Sequence, residues 1–217
     1  SSVLHIDGYV RLHRAPLRNL IHTPNTTPDS LACTGVPSAG RSASKLRNLL
    51  ITQGGIHGNL CCIKSATLSE FRKRQIRLPL GIYRTDSTIG AILSFGLDPL
   101  AFPWNPRKFI AVNEDATWET NEKRWWNYDD VKGSIRRVMR QFRGQIEHQA
   151  IRSHVQISKL PPEKIPRTVS RLVAAWVEHF PEDSNKFVQN NLFLRRAMNE
   201  MLIEKDWSDA KLPPVLL

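Results

Sequence analysis

The stretch Tyr128-Asp129-Asp130-Val131-Lys132-Gly133-Ser134-Ile135-Arg136-Arg137-Val138-Met139-Arg140 opens the most strongly patterned part of the chain. Asp129 and Asp130 sit where carboxylates favour a helix start, against the positive end of the helix dipole. Val131, Ile135, Val138, Phe142, Ile146 and Ala150 then recur three or four residues apart, which predicts a helix with one apolar stripe. Arg136, Arg137, Arg140, Arg143 and Arg152 fall mostly off that stripe. Two further helices follow. Val169, Leu172, Val173, Trp176, Val177 and Phe180 stripe the second, over about 167–180, which Pro181 closes. Leu194, Ala197, Met198, Met201 and Leu202 stripe the third, over about 191–205.

Working back from this block, regularity fades. Pro16, Pro24, Pro28 and Pro37, with Thr, Ser and Gly between them, argue against long helices or central strands before about residue 45. A short helix over 44–51, a turn at Gly54-Gly55-Ile56-His57-Gly58 and an extended piece over 59–65 follow. Leu68–Arg77 reads as a basic amphipathic helix ended by Pro79. Thr88–Phe95 reads as a short apolar helix that docks on a partner, and 113–127 as an aromatic-acidic connector. The expected fold is mainly α: a small helical domain over about 128–207 behind a long, largely irregular basic N-terminal extension. The domain reading is 1–90 extension with short helices and 91–217 helical domain, with an insertion near 166–184.

The chain of 217 residues carries a net charge of +11, which favours anionic partners. The excess lies in residues 1–112, with 14 Lys/Arg against 5 Asp/Glu; residues 113–217 hold 17 against 15. The apolar run 89–102 has about 14 residues and is broken by glycine and proline, short of the roughly 20 a membrane helix needs. The expectation is a soluble or peripheral protein without a secretory signal. Residues 11–47, poor in acids and rich in Arg, Ser and Thr, resemble mitochondrial presequences in composition. Three cysteines, two of them adjacent, fit a reducing compartment: cytosol, matrix or stroma.

No constellation reads as catalytic. His57 with Cys61 and Cys62 falls short of a zinc set, because adjacent residues in an extended segment point to opposite faces. Glu147-His148 and Glu178-His179 are sequence neighbours, which do not face each other on a helix. The glycine run 54–58 lacks the Lys-Ser/Thr ending of a phosphate loop. The clusters Arg72, Lys73, Arg74, Arg77 and Arg136, Arg137, Arg140, Arg143 read either as phosphate clamps or as solvated basic faces. Trp104, Trp118, Trp125, Trp126 and Tyr128 read either as partner or membrane-interface contacts or as core.

The order of motifs resembles the small matrix-side subunit of the mitochondrial cytochrome bc1 complex, the ubiquinone-binding protein family. Asp129-Asp130-Val131 with Ile135-Arg136-Arg137 is similar to its acidic helix start and arginine pair. Leu160-Pro161 matches its turn, Asn191-Leu192-Phe193-Leu194 through Trp207 its closing helix, and Phe95-Gly96-Leu97-Asp98 its Gly-Leu loop. The family's proline after the arginine pair is absent, and residues 1–90 have no counterpart. The resemblance implies a non-catalytic accessory subunit of complex III, peripheral on the matrix side of the inner membrane. Its implied partners are cytochrome b, cytochrome c1, the core subunits and anionic lipid, with no cofactor and no metal. Candidate partner or lipid contacts are Arg136, Arg137, Arg140, Arg143, Arg152, Trp125 and Trp126. The alternative is a mitochondrial ribosomal protein that binds rRNA through its basic extension.

Overall fold

The computed structural model describes residues 1–8, 10–12, 16–40, 42–120 and 128–210, without the side chains of residues 16 and 128–137. The chain divides into two compact units: Ser1–Phe71 with Thr85–Arg124, and Arg72–Arg84 with Trp125–Leu217.

The first unit corrects the expected fold class. In place of an irregular extension, it holds a five-stranded sheet: β1 (Ser2–Ile6), β2 (Val10–Leu12), β3 (Ala32–Ala39), β4 (Leu60–Lys64) and β5 (Ile110–Thr120), in the order β1-β4-β3-β5-β2. Helices α1 (Pro16–Thr26), α2 (Ala43–Gln53), α3 (Ser65–Lys73), α4 (Thr85–Leu93) and α5 (Pro106–Phe109) intervene, so the protein is mixed α/β. Within the sheet the described pairings are antiparallel except β3 with β5. β1 and β2 occupy opposite edges although three residues separate them. Four Cα steps reach at most about 14 Å, whereas the edges of a flat five-stranded sheet lie about 19 Å apart. The sheet is therefore curled into a near-barrel.

The prolines that argued against structure sit where structure tolerates them. Pro16 opens α1, where its missing N–H costs nothing. Pro37 lies between two register shifts of the β3–β5 pairing. Pro24 lies inside α1 and cannot bond the Leu20 carbonyl, which instead accepts the Cys62 thiol at 3.3 Å. β3 escaped notice because Ala32–Pro37 are all buried, so no alternation marks the strand. Leu20, Cys33, Leu60, Cys62, Ala116 and Trp118 form the core between sheet and α1. The expected partner-docking helix over 88–95 is α4, and its Ile92 and Leu93 are fully buried. The expected connector over 113–127 is β5 as far as Thr120.

The second unit is helical: α6 (Tyr128–Arg152) continuing into a π-helical turn over Ser153–Ile157, α7 (Val169–His179), α8 (Pro181–Val188) and α9 (Leu192–Leu202). Caps set the boundaries. The Thr168 hydroxyl accepts from the Arg171 N–H, and the Asn191 side chain from the Phe193 and Leu194 N–H groups. Pro181 both ends α7 and opens α8. The segment read as an insertion supplies α7, which packs on both α6 and α9. Ile146 and Ala150 of the α6 stripe are buried, as are Val155 of the π-helical turn and Leu172, Val173, Ala197 and Met201 of the helices α6 packs against.

Gly35 tests the sheet. A Cβ there would meet the Ala116 carbonyl oxygen at 2.4 Å and Leu60 Cδ2 at 2.9 Å. Gly35→Ala is expected to destabilise the protein by about 1–3 kcal/mol through overpacking, measured by chemical denaturation; an unchanged midpoint would show that β3 and β5 do not approach so closely.

Candidate functional site

The chemistry of the helical unit centres on Glu147, a carboxylate on α6 only 1% exposed. The Tyr83 N–H donates to both its oxygens at 3.0 and 2.9 Å, and the Arg84 N–H donates to Oε2 at 2.9 Å. Arg143, one turn earlier, donates from Nε to Oε1 at 3.1 Å. The Arg143 Nη2 donates to the Gly81 carbonyl. A buried carboxylate survives only when paired and hydrogen-bonded, and here both conditions hold. The result is a strap, residues 79–84, tied to α6. Its other fastening is a parallel bridge to the start of α7: Leu80 N–H donates to the Arg167 carbonyl at 2.7 Å, and Val169 N–H to the Leu80 carbonyl at 3.0 Å.

A second carboxylate anchors the segment after α9. Glu204 accepts from the Thr168 hydroxyl at 3.1 and 3.2 Å and from the Ser170 hydroxyl, with Arg171 at 3.7 Å. The Ser170 hydrogen bond, then that from Thr168 and the Arg171 charge, hold its carboxyl below the usual range. Trp207 folds over the strap at Gly81, whose φ of +80° suits glycine and where a Cβ would meet the indole at 2.7 Å.

These ties leave a half-open cavity of about 440 Å³. Val169, Ala197 and Met201 floor it, with Met139, Ile203 and Trp207 on its walls. Arg140, Arg143, Glu200 and Lys205 bring charge to it. Arg143 is neutralised by Glu147, and Glu200 pairs with Arg196 at 2.9 Å. Arg140 lies 5.7 Å from the Tyr83 ring, a cation–π contact. Among the described residues neither Arg140 nor Lys205 forms an ion pair.

Of the sequence candidates, Arg140 and Arg143 meet at this cavity. Arg152 does not: it is exposed and donates from Nε to Gln156 at 3.0 Å. Arg136 and Arg137 belong to α6, but their side chains lie outside the described residues, as do Trp125 and Trp126 entirely. In the other basic cluster, Arg74 pairs with Glu163. Sequence reasoning missed Glu147, Glu204 and Trp207. A weak signal existed for Glu147, which stands four residues after Arg143 and directly beside the stripe residue Ile146.

The remaining candidates resolve into structural roles. Glu147 points inward and His148 is exposed; Glu178 and His179 are both exposed. Cys33, Cys61 and Cys62 are free and buried. Burial, then the neighbouring Cys62, pushes the Cys33 and Cys61 thiols up to about 12, so neither offers a thiolate nucleophile near neutral pH. His57 stacks on Trp118 with centroids 4.9 Å apart and accepts at Nδ1 from the Asn59 N–H at 3.2 Å. Among the described residues no three His, Cys, Asp or Glu side chains come together as a metal site, and no helix is long and apolar enough to cross a membrane.

No protein-family model and no curated protein matches the chain.

Glu147→Ala strands Arg143 and two backbone N–H groups, and is expected to cost about 3–5 kcal/mol; an effect below 1 kcal/mol by chemical denaturation would contradict the buried pair. His154, 8% exposed, supplies a pH dependence: burial pushes its imidazole below the ordinary 6.5, against a smaller opposing effect at Pro161. The unfolded chain then takes up a proton as pH falls through 6.5 while the folded chain does not. Stability is held above that pH and lost on acidification towards the folded value. His154→Gln is expected to flatten the pH 5–7 part of the denaturation profile.

Proposed function

We propose that the chain is a non-catalytic, partner-binding protein and that its helical unit carries the binding edge. The observation that supports this reading is an apolar rim left uncovered at the start of α9. Leu192 is 76% exposed and Phe193 58%, and Phe193 stacks on Phe142 of α6 with centroids 5.7 Å apart. Val138, one turn before Phe142, is exposed as well. Large aromatic and aliphatic groups held rigid at a surface are typical anchors of protein interfaces. Arg195, on α9 with Leu192 and Phe193, is exposed and adds a cation to this face.

The assembly implied by the motifs is respiratory complex III, where the protein would be an accessory subunit on the matrix face, against cytochrome b, cytochrome c1, the core subunits and anionic lipid. The order of α6, the Leu160-Pro161 turn and α9 supports that assignment. The sheet-containing unit lies largely outside what the resemblance covers and supports no particular partner.

The test is gentle purification of the protein from its native membranes or lysate, with mass spectrometry of what accompanies it. Cytochrome b and cytochrome c1, retained after ribonuclease, are the expected companions. Leu192→Ser with Phe193→Ser is expected to lower recovery of those companions by about tenfold or more, as loss of an interface anchor does. Companions that are ribosomal proteins and rRNA, lost on ribonuclease treatment, would replace this reading with the rRNA-binding one.

A further inference from the structure

We propose that the cavity between α6, α7, α9 and residues 203–207 binds a small amphiphile with one anionic head, of the fatty-acid class. The proposal rests on the cavity alone and not on the partner edge.

Three features of the site select that chemistry. The first is the floor. Val169, Ala197 and Met201 are each buried and offer no hydrogen-bond donor. The nearby Ser170 hydroxyl is committed to Glu204. A bare inorganic anion would have to shed water against hydrocarbon there, which is unfavourable. An acyl chain would bury its surface at no such cost.

The second is the charge at the mouth. Arg143 is spent on Glu147 and Gly81, and Glu200 on Arg196. Arg140 and Lys205 remain, both exposed and neither in an ion pair among the described residues. They stand on different elements, α6 and the segment after α9, so the site presents two cations to one guest. A carboxylate there gains two charge-assisted contacts, while an ammonium head meets repulsion.

The third is that the site is built and not incidental. Its walls are held by two carboxylates with multiple partners, Glu147 on one side and Glu204 on the other. At about 440 Å³ the cavity falls in the ordinary range of small-molecule sites. Met139 and Trp207 give it a wall that adapts to a chain, because a thioether is flexible and polarizable and indole is flat and apolar.

The experiment is calorimetric titration of the full chain with dodecanoate below its micelle concentration, alongside dodecylammonium, dodecanol and inorganic phosphate. The expected result is saturable binding of dodecanoate at about one per chain, about tenfold or more tighter than dodecanol or dodecylammonium, with phosphate not competing. Arg140→Glu with Lys205→Glu, both exposed positions, is expected to keep the circular dichroism spectrum and weaken dodecanoate by about tenfold or more. Leu192→Ser with Phe193→Ser is expected to leave dodecanoate binding unchanged, which separates this site from the partner edge. Equal binding of dodecanoate and dodecylammonium, unsaturable uptake, or full affinity in the charge-reversed variant would each overturn the proposal.

Discussion

The helical unit depends on one buried carboxylate. Glu147 takes two backbone N–H groups from the strap at Tyr83 and Arg84 and a guanidinium from its own helix. A charge this deep is costly, and its cost is offset only while every partner stays in place. That requirement ties α6 to a segment more than sixty residues earlier in the chain. It also removes Arg143 from the pool of cations a ligand or partner meets. Gly81, held by the same arginine, gives Trp207 a flat place to rest, and Trp207 in turn closes one wall of the cavity. Glu147 thus shares with the Leu80 bridge the work of fixing the strap on which Trp207 rests.

The sheet unit obeys a different constraint, that of connection length. Three residues join strands at opposite edges, so the sheet curls. Gly35 passes close to the Ala116 carbonyl at a register shift of the β3–β5 pairing, and small residues such as Ala32, Cys33 and Ala116 fill the core there. The cysteines are packing elements in this setting. Their sulfurs fill space that larger residues would overfill, and Cys62 adds a donor for the carbonyl that Pro24 frees. Burial at once makes them useful to the core and unreactive.

The two units differ in how much of them could be read from the chain. The stripes of α6, α7 and α9 are visible because helical packing repeats every three or four residues within one segment. The capping residues Thr168 and Asn191 and the helix-starting Pro181 are local signals of the same kind. β3 gives no such signal. Its six buried residues in a row mean that both faces are covered, and its glycine and proline look like loop residues until the bulges around them are seen. The candidate site was half legible. Arg140 and Arg143 stood out as cations off an apolar stripe, whereas Glu147 looked like half of an ordinary surface pair.

Sequence by itself therefore determined three helices of the second unit, α6, α7 and α9, to within a few residues, along with the basic balance of the chain and the cations that α6 contributes; α8 was not read from it. Each of these follows from interactions within a few residues: periodicity, capping, the charge of a side chain. Tertiary structure alone decided that the strands of the first unit make a curled sheet, that Arg143 is spent on Glu147 while Arg140 rests on the Tyr83 ring, and that Trp207 walls a cavity beside the Glu204 tie. Those outcomes depend on strand pairing and on the desolvation of particular charges. Both are set by residues far apart in the chain, and no local pattern records which distant group will arrive to pair with which.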